Sequence, residues 1–217
     1  MTLIKSISGI RGTIGGKVGD NLTPVDAVKF ASAYGTWLKN TNGKDDRNLK
    51  VVLGRDARIS GPMIHNLVMN TLIGLGIDVI DLGLSTTPTV EVAVPLEGAQ
   101  GGIILTASHN PKQWNALKLL NEKGEFVSGE EGKTILALAE QEDFIYAPVD
   151  AMGELIGDDN SLSKHIQAIL DGNYAKNNPE TNVYYKEELD KALKNVELTN
   201  FKLNEREELS CKITLKE

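Results

Sequence analysis

Six consecutive residues, Thr106-Ala107-Ser108-His109-Asn110-Pro111, concentrate the chemistry that this sequence can offer. They place a hydroxyl, an imidazole and an amide in succession, and Pro111 stiffens the exit. A serine hydroxyl can carry a phosphoryl group, and its neighbours, Asn110 among them, can donate hydrogen bonds to the phosphoryl oxygens. His109 suits two roles: a general acid/base, because its ordinary pKa lies near neutrality, or a plain donor to phosphate. The same residue types also build turns, so Ser-His-Asn-Pro alone is compatible with a structural bend. Position favours function. The loop follows Gly102-Ile103-Ile104-Leu105, a run with no polar face to expose and therefore a buried strand. In open α/β sheets, ligands gather beyond the carboxyl ends of strands.

The elements around this loop alternate between strand-like and helix-like patterns, the rhythm of an α/β domain. A helix is expected from about Thr23 to Lys39, with Thr23 as cap, Pro24 in the first turn and Asp26 as the acidic partner of a capping box. Ala27, Phe30, Ala31, Tyr34 and Leu38 then recur at helical spacing. Residues 49–54 read as a strand ending in a Gly turn, residues 61–75 as a helix stopped by Gly76, and residues 77–82 as the next strand. A short helix starts at Thr87-Pro88 and runs to about Leu96. Residues 116–120 form another strand, residues 122–125 a hairpin-like turn, and Ser128 to Glu131 a capping box opening a helix to about Glu140.

Beyond Ala151 the character changes. Lys164 to Leu170 can start a helix, residues 173–182 are polar, Tyr185 to Lys194 have weak helical periodicity, and Phe201 to Glu217 are charge-rich. The expected organisation is one domain over residues 1–155, followed by a partial or divergent second segment over 156–217.

The bulk properties narrow the class. The chain has 217 residues, 41% hydrophobic and 24% charged, with a net charge of −7. The acidic balance argues against a general nucleic-acid surface but leaves room for anionic substrates in a locally cationic cleft. A single cysteine, Cys211, makes an intrachain disulfide impossible and fits a reducing cytosol. No apolar stretch has the length to span a bilayer, and the N-terminus lacks the apolar core of a secretion signal. A cytoplasmic protein is expected. No His/Cys grouping has zinc-ligand spacing, Gly15-Gly16-Lys17 lacks the pattern of a nucleotide-phosphate loop, and His65 and His165 read as ordinary side chains.

Thr106 to Pro111 resembles the phosphoserine signature of the α-D-phosphohexomutases, the family of phosphoglucomutase, phosphomannomutase and phosphoglucosamine mutase. Other segments extend the resemblance in the family's order over about residues 4–145. Ser8-Gly9-Ile10-Arg11-Gly12 is similar to its N-terminal G-I-R-G segment, and Leu22-Thr23-Pro24 to the helix start that follows. Gly54-Arg55-Asp56-Ala57-Arg58-Ile59-Ser60-Gly61 is similar to its G-R-D-x-R-x-S-G loop, and Thr87-Pro88-Thr89 to its T-P-x turn.

The resemblance implies a three-layer α/β/α sandwich with a mixed sheet, like the family's first domain, followed by a short divergent C-terminal segment. It implies that phosphorylated Ser108 donates its phosphoryl group to a hexose monophosphate. The hexose 1,6-bisphosphate intermediate reorients and returns its other phosphate to Ser108. By the same matching, Arg11 forks onto phosphate oxygens, a sheet-edge ion pair being the alternative. Lys118 lies near the transferring phosphate and assists proton transfer. Here the family's Asn-Gly is replaced by Asn115-Ala116, and the added methyl group restricts the backbone before Lys118. Arg55, Asp56 and Arg58 either shape the field of the site or brace the loop through an Asp56–arginine pair. Mg²⁺ is the implied cofactor, bound to Ser108 through its phosphate.

Three family loops have no counterpart here. They are the Asp-rich D-x-D-x-D-R metal loop, which Gly157-Asp158-Asp159-Asn160 does not match, the sugar-selecting G-E-x-S-G loop, and the R-x-S-G-T phosphate loop. The expectation is a phosphohexomutase N-terminal domain that is inactive as an isolated chain, with remaining mutase domains on another chain among its candidate partners. A non-catalytic interaction or regulatory module that keeps the fold is the alternative.

Overall fold

The structure is a computed structural model that describes residues 1–6, 9–42, 49–170, 196–203 and 209–215. Chain order runs β1 (Ile4–Ser6), β2 (Gly9–Thr13), α1 (Pro24–Asn42), β3 (Lys50–Arg55), α2 (Gly61–Gly74), β4 (Asp78–Leu84) and α3 (Thr87–Leu96). It continues through β5 (Gly101–Leu105), β6 (Trp114–Leu120), α4 (Gly129–Gln141), β7 (Leu155–Gly157), α5 (Ser161–Leu170), β8 (Val196–Leu203) and β9 (Leu209–Leu215). Contacts divide the chain into two compact units, Met1–Ser161 and Leu162–Glu217.

The first unit is built on a seven-stranded mixed sheet in the order β1-β2-β6-β5-β3-β4-β7. Strands β5, β3, β4 and β7 are mutually parallel, joined by helical crossovers, while β6, β2 and β1 add antiparallel partners at the other edge. Alternation along each strand sorts side chains between two faces. Ile10, Val51, Leu53, Ile103, Leu105, Leu117 and Leu119 pack with Phe30, Tyr34 and Leu38 of α1, Ile64, Val68 and Leu72 of α2, and Ile135 and Ala139 of α4. The residues between them, Val52, Ile80, Leu82, Ile104 and Leu120, pack with Val90, Ala93 and Val94 of α3. These are the three layers: helices, sheet, helix. The sheet continues through Gly157, because β7 pairs with β4 from Val79–Leu155 to Asp81–Gly157.

Helix starts follow the capping chemistry. Thr23 and Asp26 cap α1 reciprocally: the Thr23 N–H donates to Asp26 Oδ2 at 3.1 Å and the Asp26 N–H to Thr23 Oγ1 at 3.4 Å. Ser128 and Glu131 form the second box, at 2.6 and 3.3 Å. One boundary differs from the sequence reading. Gly54 is not a turn: β3 runs through it to Arg55, with a register shift against β4 between Leu53 and Gly54. A Cβ at Gly54 would stand 2.6 Å from Val90 Cγ2, so its bareness serves the approach of α3 rather than a turn. Strands β1, β2 and β7 carry too few alternating residues to be read from pattern.

In the second unit α5 occupies the segment where a helix start is expected, and β8 and β9 pair antiparallel from Val196–Leu215 to Leu203–Leu209. Residues 173–182 and 185–194 lie outside the described residues.

Candidate active site

Strand β5 ends at Leu105, and the loop from Thr106 to Gln113 carries the chain across to β6 as a series of turns. The Ser108 N–H donates to Thr106 Oγ1 at 3.0 Å, the Asn110 N–H to the Ala107 carbonyl at 3.0 Å, and the Trp114 N–H to the Pro111 carbonyl at 2.9 Å. These turns hold Ser108 at φ +54°, one of two non-glycine residues in the left-handed region among those described. That conformation costs a residue with a Cβ about 1–2 kcal/mol. Backbone strain of this kind collects where a side chain must be presented. Ser108 and His109 are exposed and Asn110 is half-buried.

The other wall comes from β2 and β6. Arg11 stands opposite Ala116, and Ile10 opposite Leu117. Because Ile10 and Leu117 face the α1 layer, Arg11, Ala116 and Lys118 face the other side. There α3 covers the sheet over β3 and β5. Arg11, Lys118, Ser108, His109 and Asn110 line a cavity of about 220 Å³, together with Gly9 and Phe126. Five residues singled out from sequence are thus brought together. Among the described residues neither Arg11 nor Lys118 has a carboxylate partner, and no ion pair of Arg11 is seen among them.

Phe126 is the residue that sequence reasoning missed. The turn at Asn121 to Glu125, closed by the Asn121 N–H on the Glu125 carbonyl at 2.8 Å, folds Phe126 back beside Leu120. Gly124 in this turn has φ +78°, and a Cβ on it would lie 2.0 Å from the Glu91 carbonyl oxygen. The Phe126 ring then meets Lys118, whose Nζ is 5.7 Å from the ring centroid. The hairpin-like turn at residues 122–125 was the available signal, since such a turn must return the next residue to β6. Glu91 faces the same region. Burial pushes its carboxyl above the ordinary value, and the charge of Lys118 opposes that rise.

Asp56 and Arg58 form the bracing pair. Arg58 Nε donates to Asp56 Oδ2 at 3.1 Å, and the Arg58 N–H to Asp56 Oδ1 at 3.1 Å. Arg58 Nη1 donates to the carbonyls of Pro111 and Trp114 at 3.0 and 3.1 Å, and Nη2 to those of Ser108 and Asn110 at 2.7 and 2.9 Å. Asn115 is fully buried and links the two loops from β6: its Nδ2 donates to Ser60 Oγ at 2.9 Å while its Oδ1 accepts from the Ala116 N–H. The methyl group of Ala116 is accommodated next to this contact, and Lys118 still reaches the cavity.

Residues 3–146 match the family model described as phosphoglucomutase/phosphomannomutase, alpha/beta/alpha domain I. The chain belongs to this family. It is 39% identical over 160 residues to a phosphoglucomutase/phosphomannomutase of Thermococcus kodakarensis, a match covering 73% of this chain and 34% of that one. A phosphoglucosamine/phosphogalactosamine mutase of Sulfurisphaera tokodaii is 31% identical over 163 residues, covering 75% and 33%. A phosphomannomutase of Vibrio cholerae is 37% identical over 133 residues, covering 61% and 28%. The fold is shared with a crystal structure of a phosphoglucomutase/phosphomannomutase family protein from Burkholderia thailandensis, with TM-score 0.61 and 24% identity over 77% of this chain and 36% of that one. The chain spans about a third of the length of the relatives it matches. As a phosphohexomutase first domain it has the expected α/β/α layers. No described helix is long and apolar enough to cross a membrane.

Proposed function

We propose that this chain carries the phosphoryl group of a hexose-phosphate mutase on Ser108. The observation that supports this most strongly is Ser108 itself, held at φ +54° in the lining of a cavity that it shares with two cations, Arg11 and Lys118, neither of which has a carboxylate partner among the described residues. Phosphoryl transfer asks a protein mainly for alignment and for neutralisation of oxygen charge. In the proposed step, Ser108 Oγ attacks a phosphorus of a hexose 1,6-bisphosphate. The new P–Oγ bond forms as the P–O bond to the sugar breaks, and the proton leaving Oγ ends on the sugar oxygen. The reverse step, on a reoriented sugar, places the phosphate on the other hydroxyl, so that hexose 1-phosphate and hexose 6-phosphate interconvert.

Arg11 binds phosphate oxygens with its planar fork. Lys118 compensates charge at the transferring group and, with His109, is placed to hand the proton between Oγ and the sugar oxygen. Asn110 donates to a phosphate oxygen. The Mg²⁺ that the resemblance implies does not fit the residues present. Among the described residues no three His, Cys, Asp or Glu side chains converge, and the Asp56 carboxylate is engaged by Arg58. A cavity walled by two cations suits phosphate oxygens, not a divalent cation. No step is therefore routed through a metal held by this chain.

Intact mass after incubation with glucose 1,6-bisphosphate tests the reading. The expected result is a gain of one phosphate by the chain and none by Ser108→Ala. Absence of labelling in both would overturn the carrier role. Conversion of glucose 1-phosphate by this chain alone is expected to be negligible; robust turnover would refute that part.

A further inference from the structure

Arg58 is not in the wall of the cavity, yet it holds three carbonyls of the Ser108 loop and the Trp114 carbonyl just beyond it. Its guanidinium has five N–H bonds in a fixed plane. One goes to Asp56 and the other four to the carbonyls of Ser108, Asn110, Pro111 and Trp114, at 2.7 to 3.1 Å. No donor is left over. Ser108, His109 and Asn110 line the cavity, whereas Arg58, which holds the Ser108 and Asn110 carbonyls, does not.

This placement fixes the polarity of the loop. Each carbonyl that turns to Arg58 takes a partial negative charge away from the cavity. A trans peptide is planar, with its N–H opposite its C=O. The Ser108 carbonyl therefore sets the His109 N–H on the side away from Arg58, and no acceptor for that N–H occurs among the described residues. We infer that Arg58 is a positioning residue for phosphoryl transfer: by gathering the loop carbonyls behind Ser108, it turns the His109 backbone N–H and the Ser108 side chain toward the transferring phosphate. Asp56 is the anchor of this device, fixing the guanidinium plane through Nε. The inference rests on Ser108 being the phosphoryl carrier.

The test is the kinetics of Ser108 labelling by glucose 1,6-bisphosphate, followed by intact mass, in the full chain and in Arg58→Ala and Arg58→Lys. The maximal labelling rate is expected to fall about 100-fold in Arg58→Ala, the scale of a small misplacement of reacting groups. The half-saturating donor concentration should change by less than about threefold, because Arg58 does not meet the sugar phosphate. Arg58→Lys should recover little, since an ammonium has three donors and no plane. Guanidinium ion at millimolar concentration, well below denaturing levels, should restore part of the rate to Arg58→Ala and none to Arg58→Lys.

Equal rates in all three chains would overturn the inference while leaving the carrier role intact. So would a loss explained entirely by a smaller folded fraction, with the remaining chains labelling at the parental rate. Failure of the parental chain to label would remove the carrier reading, and this inference with it.

Discussion

Gly9 lies against Leu117 so closely that a Cβ on Gly9 would stand 2.1 Å from the Leu117 carbonyl oxygen. Gly9 also has φ +126°, a conformation that L-residues rarely adopt. The contact sets β2 against β6, and thereby puts Arg11 on the same face as Lys118. Gly9→Ala is expected to cost about 1–3 kcal/mol from backbone strain alone, with a further loss from the clash. Urea unfolding measures the stability. Donor titrations should also show weaker binding, because Arg11 shifts with its strand; unchanged stability would show that β2 can retreat from β6 freely.

Tyr34 locks α1 to the centre of the sheet. Its buried hydroxyl is within hydrogen-bond distance of the carbonyls of Leu120 and Gly102, at 2.6 and 3.2 Å, and it occupies the place where a Gly101 Cβ would be. Burial also pushes the phenol well above its ordinary pKa, so it stays a donor throughout the working range. Tyr34→Phe removes the donor and leaves buried carbonyls short of a partner, at a cost of about 1–3 kcal/mol. The midpoint of denaturation should fall with the denaturant slope unchanged. Gly101→Ala should be worse, since the hydroxyl and the new methyl group cannot share the space.

Asp81 gives the fold an acid-sensitive joint between α2 and β4. Burial works against its charge, but the hydrogen bond with His65 at 2.9 Å, the Gly83 N–H at 2.8 Å and the charges of His65 and Arg55 hold the carboxyl below its ordinary value. A carboxyl depressed in the folded state stabilises above its unfolded pKa, and that stability is lost as pH falls through the folded value. Thermal melting should therefore show Asp81→Asn less stable than the parent at pH 6 to 7. The gap should begin to narrow near pH 4, where the unfolded carboxyl takes up its proton, and close once pH has fallen through the lower folded value. A gap that persists undiminished at pH 3 would exclude the charge as its cause.

Legibility differed by the kind of signal each residue leaves. Thr23–Asp26 and Ser128–Glu131 could be read as helix starts because capping is a local contract among four residues. The α/β class followed from the succession of strand-like and helix-like segments, with the wholly apolar run Gly102 to Leu105 as a buried strand, whereas the three-layer arrangement came by resemblance. The motif residues Arg11, Ser108 and Lys118 stood out by resemblance, and the sheet brings them to one cavity. Arg58 was legible as a motif residue that either shapes the field of the site with Arg55 and Asp56 or is the arginine that pairs with Asp56. Its four carbonyl acceptors belong to the backbone, which has no sequence signature. Phe126 and Gly9 depend on the close approach of strands distant in sequence, and β1, β2 and β7 are short strands, β1 and β7 at the sheet edges, with too few residues to show a pattern.

Arg11 and Lys118 are expected to fail differently when removed. Arg11 is exposed in the cavity lining, whereas Lys118 is half-buried in β6 with Nζ over the Phe126 ring. An exposed cation in the lining contributes to holding phosphate oxygens throughout the reaction, so Arg11→Ala should raise the half-saturating donor concentration more than it lowers the maximal rate. The charge-assisted hydrogen bonds at stake are worth about 1.5–3 kcal/mol, or roughly 10- to 100-fold in that concentration. Lys118 is more buried, and the proposed function assigns it charge compensation and proton transfer, so Lys118→Ala should lower the maximal rate of Ser108 labelling by about 10²-fold or more. Phe126→Leu, which removes the ring face but keeps the bulk, should lower the rate by less than Lys118→Ala does. Single-turnover labelling at several bisphosphate concentrations separates the two effects. The reverse pattern, with Arg11→Ala slow and Lys118→Ala only weak in binding, would exchange the roles assigned to the two cations.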